Sequence, residues 1–408
     1  MRIRIQKKDI VYYLFTIYVC FMYCNNELFS SNTICKNYII VIMLLFLMLF
    51  WTPNKGSNVV RTDNLYIYSH LFIAALAIVS VSWTEYRAYF YQVPITLVCN
   101  IIFAYVYKNG LIDRPIIHII NSFILAGIVA SAKMLLTVPK SAYGWAVEFP
   151  GMGNRNILGT CLSVSAALCF LAYDYTKKII YLILMAGLYY VALLSGSKKG
   201  VIVGIIIIFF SFFFTDGLSK RVQRALFVAL IIFVSLYILK NNNELNRVLG
   251  SRFALMFNFL KGKGDDGSTA ERLFLMKYSF GLFLRNPIIG WGVNGVAGQL
   301  LKSGVHRVSY SHCNYTELLA NYGIIGFSLY YSNYIMAIVT WERAKKKYGI
   351  SAELVNEAKI GISIILSMIV LEFTVVAYTE LSIQTLIIFA IMLLVKVDRN
   401  QNEFTKYA

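Results

Sequence analysis

"SGSKKGVIVGIIIIFFSFFF", Ser195 to Phe214, sets two adjacent lysines against fifteen residues of which only Ser211 is polar. One such run would fit the core of a soluble protein. This chain repeats the pattern about twelve times, at roughly 10–25, 37–52, 65–83, 88–107, 115–136, 156–173, 178–195, 200–215, 225–240, 322–341, 359–378 and 381–396. Each block is long enough, or nearly so, for the ~20 residues that cross a bilayer. Hydrophobic residues make up 58% of the 408 and charged ones 14%, against about 25% charge in a soluble protein. The blocks are too many and too continuous for a soluble core. Backbone facing lipid must satisfy its own hydrogen bonds, so helices are expected. The expected fold is all-α: a polytopic integral membrane protein of about twelve transmembrane helices, with one long helical outer loop between spans nine and ten.

The net charge of +18 would suggest nucleic acid on a soluble protein. Here the cations sit mainly in short loops between apolar blocks, so membrane orientation explains them and no nucleic-acid partner is expected. With the N-terminus inside, 21 of the 38 Lys and Arg fall in inner segments, seven in short outer loops and ten in or beside the long loop. The positive-inside rule selects that arrangement, with both termini cytoplasmic, and exempts so long a loop. "MRIRIQKK" precedes an apolar run without a small-residue cleavage site and reads as a first anchor. The seven cysteines, Cys20, Cys24, Cys35, Cys99, Cys161, Cys169 and Cys313, form no CxxC pair, so neither a disulfide framework nor a metal site is expected. The chain divides into helices one to nine (1–240), a long extracytoplasmic loop (241–321), and helices ten to twelve with a cytoplasmic tail (322–408).

Some outer cations run against the topological bias: Lys198 with Lys199, and Arg155 in "GMGNRN". Such residues either snorkel at a span end or serve a ligand. In the long loop, "GSTAERLFLMKYSFGLFLRNP" reads as one helix. Ser268 and Glu271 fit a capping box. Leu273, Phe274, Lys277, Tyr278, Gly281 and Leu284 form its apolar face, and Asn286–Pro287 ends it. Arg272 then falls in the first turn, where free N–H groups and a guanidinium together suit a phosphate. The alternative is an ion pair with Asp265, Asp266 or Glu271. "NPIIGWGVNG" reads as a tight turn, since no strands are expected to frame a phosphate loop, and "GDDG" (Gly264–Gly267) as a solvated loop.

"SYSHCNYTELLANYGIIG" (Ser309–Gly326) places the most telling polar group at the edge of a span. His70 and His118 fall inside spans, and His306 in the loop. His312 precedes span ten, beside Asn314, Tyr315 and Glu317. A neutral imidazole there can take a proton from a hydroxyl, or can simply hydrogen-bond. Glu317 is an acid near lipid, which usually faces the protein interior, or a carboxylate favoured by the helix start. Cys313 has only His312 nearby to activate it as a nucleophile.

Taken together, "LLSGSKKG" (Leu193–Gly200), "AERLFLMKYSFGLFLRNPIIGWG" (Ala270–Gly292) and "SHCNYTELLANYGIIG" resemble the O-antigen ligase/polymerase family of bacterial envelope glycosyltransferases, over about 150–340. The resemblance implies a GT-C-like architecture in the bacterial cytoplasmic (inner) membrane, with its active site on the periplasmic or extracellular side. It implies glycan transfer from an undecaprenyl-diphosphate-linked oligosaccharide to the hydroxyl of an acceptor glycan, without metal or other cofactor. Carried over by position, His312, Arg272 and Glu317 are the catalytic residues. Lys198, Lys199, Arg155, Tyr315 and Asn314 bind substrate. Lys198 stands where the family usually has arginine, and Cys313 where asparagine often follows the histidine. The expected partners are the lipid-linked donor, the acceptor, membrane lipids and a chain-length regulator protein. The favoured function is an O-antigen or capsule polymerase. A ligase passing glycan to lipid A core or protein is the near alternative, and a lipid-linked sugar flippase the alternative of another class, to which only Glu372, expected mid-span, gives support.

Overall fold

A computed structural model describes residues 6–25, 34–52, 61–143, 146, 148–214, 217–305, 308–345 and 351–407. His306, Arg2, Arg4, Lys55, Arg307, Lys346 and Lys347 lie outside the described residues, as do the side chains of Cys35, Lys36, Arg61, Arg399 and Lys406. The chain falls into two compact units. The first comprises Met1–Pro53 and Asp113–Asp265, the second Asn54–Ile112 and Asp266–Ala408.

The first unit holds α1 (Lys7–Cys24), α2 (Ile34–Trp51), α5 (Ile116–Thr137), α6 (Arg155–Thr176), α7 (Ile180–Leu194), α8 (Lys198–Phe213), α9 (Leu218–Asn241), the single turn α10 (Asn243–Leu245) and α11 (Ser251–Leu260). α6 is its axis, packed against α5, α7 and α8. Its sequence explains why: small residues let neighbouring backbones approach, the usual basis of helix association in lipid. A Cβ on Gly127 of α5 would meet Ser165 at 2.7 Å, one on Gly200 of α8 would meet the Gly159 backbone at 2.6 Å, and one on Gly204 would meet Ser163 at 2.4 Å. Before α6 lies a short antiparallel pairing of β1 (Glu148–Phe149) with β2 (Gly153–Asn154), a strand element absent from the all-α expectation. Gly151 and Gly153 supply the positive φ of its turn.

The second unit holds α3 (Arg61–Val79), α4 (Gln92–Val106), α12 (Gly267–Arg285), α13 (Gly295–Lys302), α14 (Asn314–Lys345), α15 (Ala352–Leu371) and α16 (Leu381–Tyr407). α14 packs on α3, α12, α15 and α16.

A helix thus lies at every apolar block. Among the described residues six helices are, by length and composition, able to cross a membrane: 64–82, 116–137, 155–176, 218–241, 314–345 and 352–371. Shorter apolar helices span 37–51, 180–194 and 381–397. The protein is a multi-pass membrane protein.

Three local expectations change. α12 begins at Gly267, so Ser268 is inside the helix and no capping box forms. The buried Asp266 precedes it and accepts from the Ser268 and Thr269 hydroxyls at 2.7 and 2.6 Å, so "GDDG" is half a helix start. Arg272 becomes its sixth residue, beyond the first turn. The buried face of α12 is Leu275, Ser279 and Leu282, and the two leucines join Val296, Leu300 and Ala320 in one core. Leu273, Phe274 and Leu284 are exposed. Apolar residues fall on both faces of α12, so periodicity alone did not pick out the buried one, although Tyr278 of the expected stripe does pack against that core. Finally, α15 ends at Leu371, which makes Glu372 its C-cap and not a mid-span acid.

Candidate functional site

In the first unit the cations gather at one turn. Gly196, at φ +69°, reverses the chain between α7 and α8. The Ser195 hydroxyl donates to Ala192 O (2.6 Å) and accepts from Ser197 N–H (3.3 Å), and Ser197 caps α8 by accepting from Gly200 N–H at 3.0 Å. Gly200 faces Gly159, and Gly204 donates its N–H to Ser163 Oγ at 3.0 Å. The register rises together on both helices, so α6 and α8 run parallel with their N-termini side by side. Each begins with basic residues: buried Arg155 on α6, half-buried Lys198 and Lys199 on α8. Cations at a helix N-terminus oppose its dipole, a cost that an anion placed between them would offset. Sequence reasoning missed a further cation. Arg252 of α11 donates to Gly196 O at 2.6 Å and braces the turn. Nothing in its sequence context marks it.

In the second unit His312 stands just before α14 with φ +59°, in the left-handed region that histidine enters more readily than most residues. That conformation is held from several directions. Buried Glu317 accepts the Ser311 N–H at 2.6 Å through one oxygen and the Asn321 side chain at 2.9 Å through the other. Ser311 Oγ donates to Cys313 O (2.7 Å) and accepts Cys313 N–H (3.2 Å). Asn314 donates its backbone N–H to Glu372 O (2.8 Å) and its amide to Glu372 Oε2 (3.1 Å) and Tyr331 OH (3.0 Å). Glu372 is itself enclosed by the hydroxyls of Tyr330 (2.9 Å), Tyr331 (2.7 Å) and Tyr334. The Tyr315 hydroxyl donates to Ile369 O at 2.7 Å, and its ring stacks on Tyr331. Glu317 therefore holds the turn directly, while the side chains of Asn314 and Tyr315 tie the start of α14 to the end of α15 and the segment after it. The Cys313 thiol is buried, at 1% exposure, which removes it as a nucleophile. His312 is half-buried, and its ring lies 4.2 Å from that of Tyr310.

Tyr310 links the histidine to Arg272. Desolvation, then Glu380 and Glu317, raise its phenol above the usual range, while Arg272 pulls it back. The residue is 44% exposed, so its charged neighbours are more informative than desolvation. Among the described residues Arg272 pairs with none of Asp265, Asp266 or Glu271. Arg272 is half-buried, and its charge acts on Tyr310 of the histidine turn.

The two loop motifs also interlock. α14 breaks at Gly323 (φ +62°, ψ −163°). The carbonyls of Ala320 and Asn321 accept N–H from Trp291 (2.9 Å) and Gly292 (2.8 Å), and the N–H of Ile324 and Ile325 donate to Pro287 O (2.8 Å) and Ile288 O (3.4 Å). "NPIIGWG" is a turn, as expected, but one that fills a gap in the span. A Cβ on Gly323 would lie 2.2 Å from Ile288 O, and one on Gly290 2.5 Å from the Asn321 carbonyl carbon.

Residues 180–331 match the model of a protein family described as O-antigen ligase. The likeness to that family spans these residues, somewhat over a third of the chain. It contains Lys198, Lys199, Arg252, Arg272 and His312, and leaves Arg155 and Glu372 outside. No curated protein matches the chain. That likeness, on a multi-pass helical chain, supports an enzyme of the O-antigen ligase/polymerase type and lends no support to a flippase. Glu372, the residue that suggested transport, is the clamp behind the histidine turn.

Proposed function

We propose that the protein is an O-antigen or capsule polymerase, transferring glycan from a polyprenyl-diphosphate carrier to the hydroxyl of an acceptor repeat unit at the outer face of the bacterial cytoplasmic membrane. The observation that carries the reading is the histidine turn: a half-buried imidazole held by Glu317, Asn314 and Glu372, with the charge of Arg272 beside it. His312 takes the acceptor's hydroxyl proton as the oxygen attacks the anomeric carbon. The bond from that carbon to the carrier's diphosphate breaks, leaving negative charge on the departing oxygen, and a fixed guanidinium in a poorly hydrated site stabilises that charge. One displacement inverts the anomeric centre. Glu317, Asn314 and Tyr315 act by holding His312 in place, in contrast to the direct roles first expected of them. Arg155, Lys198 and Lys199 bind the carrier's phosphates.

Ligase activity is the second reading, favoured by the description of the matching family. Polymerase is preferred for the resemblance of "SGSKKG" and "HCNYTELLANYGIIG" to polymerase members. Surface glycan compared by gel, with and without the protein, decides between them. A single-repeat rung in its absence marks a polymerase, and loss of all attached glycan marks a ligase. Purified protein given polyprenyl-diphosphate glycan and acceptor should release carrier diphosphate; lipid scrambling without release would overturn both.

A further inference from the structure

Below the paired helix N-termini of the first unit lies a cavity of about 270 Å³. It is walled by α6, α7, α8 and α9, with Ser163, Ala167, Leu193, Gly204, Ile208 and Leu230 among its lining. Its few polar groups are already committed: Ser163 Oγ accepts Gly204 N–H, Ser235 Oγ donates to Ile231 O, and Tyr189 OH reaches Val201 O at 3.4 Å. Apolar cavities of this kind stay dry and take apolar guests. Tyr190, Leu230 and Val234, all exposed, form an apolar side facing outward from the helices, so the cavity is reachable from lipid. Its top begins one turn below Gly159 and Gly200, and Gly204 lies six residues along α8 from Lys198, roughly 9 Å at 1.5 Å per residue.

We propose that this cavity seats the first part of the carrier's polyprenyl tail while Arg155, Lys198 and Lys199 hold its phosphates, an assignment that rests on the transferase reading above. Two matches single out this guest. A cavity of about 270 Å³ has room for only a short stretch of hydrocarbon, where a membrane phospholipid brings two long chains. A cationic cluster stands one short span above an apolar hole, as a phosphate on the first carbon of a hydrocarbon chain requires. At about 30 Å³ per water-sized or methylene-sized group, the volume holds about nine such groups, or about two isoprene units. The remaining tail lies in the bilayer and contributes little to recognition.

The test uses the full-length protein in phosphatidylcholine nanodiscs and a long-chain polyprenyl phosphate, free of sugar, with a diazirine in its second isoprene unit. Crosslinks should map to α7, α8 and α9. Geranyl phosphate should compete nearly as well as the long chain, and phosphatidylglycerol poorly. Ala186→Phe, at an exposed part of the lining, should weaken labelling roughly tenfold, the loss of about two buried methylenes, and Leu230→Trp should do likewise should the first variant fold badly. Crosslinks elsewhere, labelling unchanged in both variants, or phosphatidylglycerol competing as well as polyprenyl phosphate would overturn the assignment. The probe carries no sugar, so labelling reports the seat alone: a seat without transfer sinks only the transferase reading, and transfer without the seat sinks only this one.

Discussion

The histidine turn and the lysine turn are built by opposite means. Beside His312, whose φ is positive, Glu317 bonds the Ser311 backbone and Asn314 bonds Glu372, which three tyrosines enclose, so the turn is fixed by buried hydrogen bonds. Around Lys198 the backbone is held by two serines, a glycine and Arg252, and the lysines themselves stand at a helix start. A proton acceptor must be held within a few tenths of an ångström of the hydroxyl it serves. A phosphate clamp tolerates more slack, because Coulomb attraction falls off slowly with distance. Substitutions in the second unit should therefore act on turnover and those in the first on donor affinity.

The largest effect belongs to His312→Ala. Chain extension should fall about 10²–10⁴-fold, the usual worth of a general base, with membrane insertion intact. Full-length polymer from that variant would remove His312 as the base. Gly323→Ala comes next. It places a Cβ on Ile288 O at an unfavourable φ, and at about 1–3 kcal/mol for strain of this kind thermal unfolding of the purified protein should report a clear loss. Glu372→Gln replaces one of the two acceptor oxygens by a donor, so either Asn314 and Tyr331 or Tyr330 and Tyr334 lose their acceptor, at about 1–3 kcal/mol for a buried group left unpaired. Turnover should drop with the Michaelis constant for donor little changed, and a selective rise in that constant would contradict the clamp. Arg272→Lys keeps charge but loses the planar fork, so turnover should fall about tenfold, the equivalent of one charged hydrogen bond. Unchanged turnover would return Arg272 to a structural role. The smallest effect is expected for Arg252→Lys, a rise of about threefold in the donor's Michaelis constant as one bond to Gly196 O weakens.

The hydropathy of the chain made every long helix legible, because lipid demands apolar length and little else. It could not orient them. The apolar stripe expected on α12, Leu273, Phe274 and Leu284, is the exposed one, and Leu275 and Leu282 are the core. His312, Glu317 and Asn314 were visible as polar groups at a span edge, and Arg272 as a cation one helix away. Glu372 was visible too, as an acid in an apolar run, but its role depends on Asn314, 58 residues earlier. Arg252 gave no signal, since it acts on a backbone carbonyl, which every residue has. The meeting of "NPIIGWG" with "ANYGIIG" was hidden for the same reason: its bonds run between main chains, and only Gly290 and Gly323 mark where they pass.

That main-chain graft also limits how the enzyme can be recombined. Residues 287–292 supply the partners that the broken span lacks between 320 and 325. A hybrid that imports a foreign outer loop but retains the host's α14 would leave those amides and carbonyls facing strangers. Loop and helix start must therefore be exchanged as one cassette, running at least from Asn286 to Gly326.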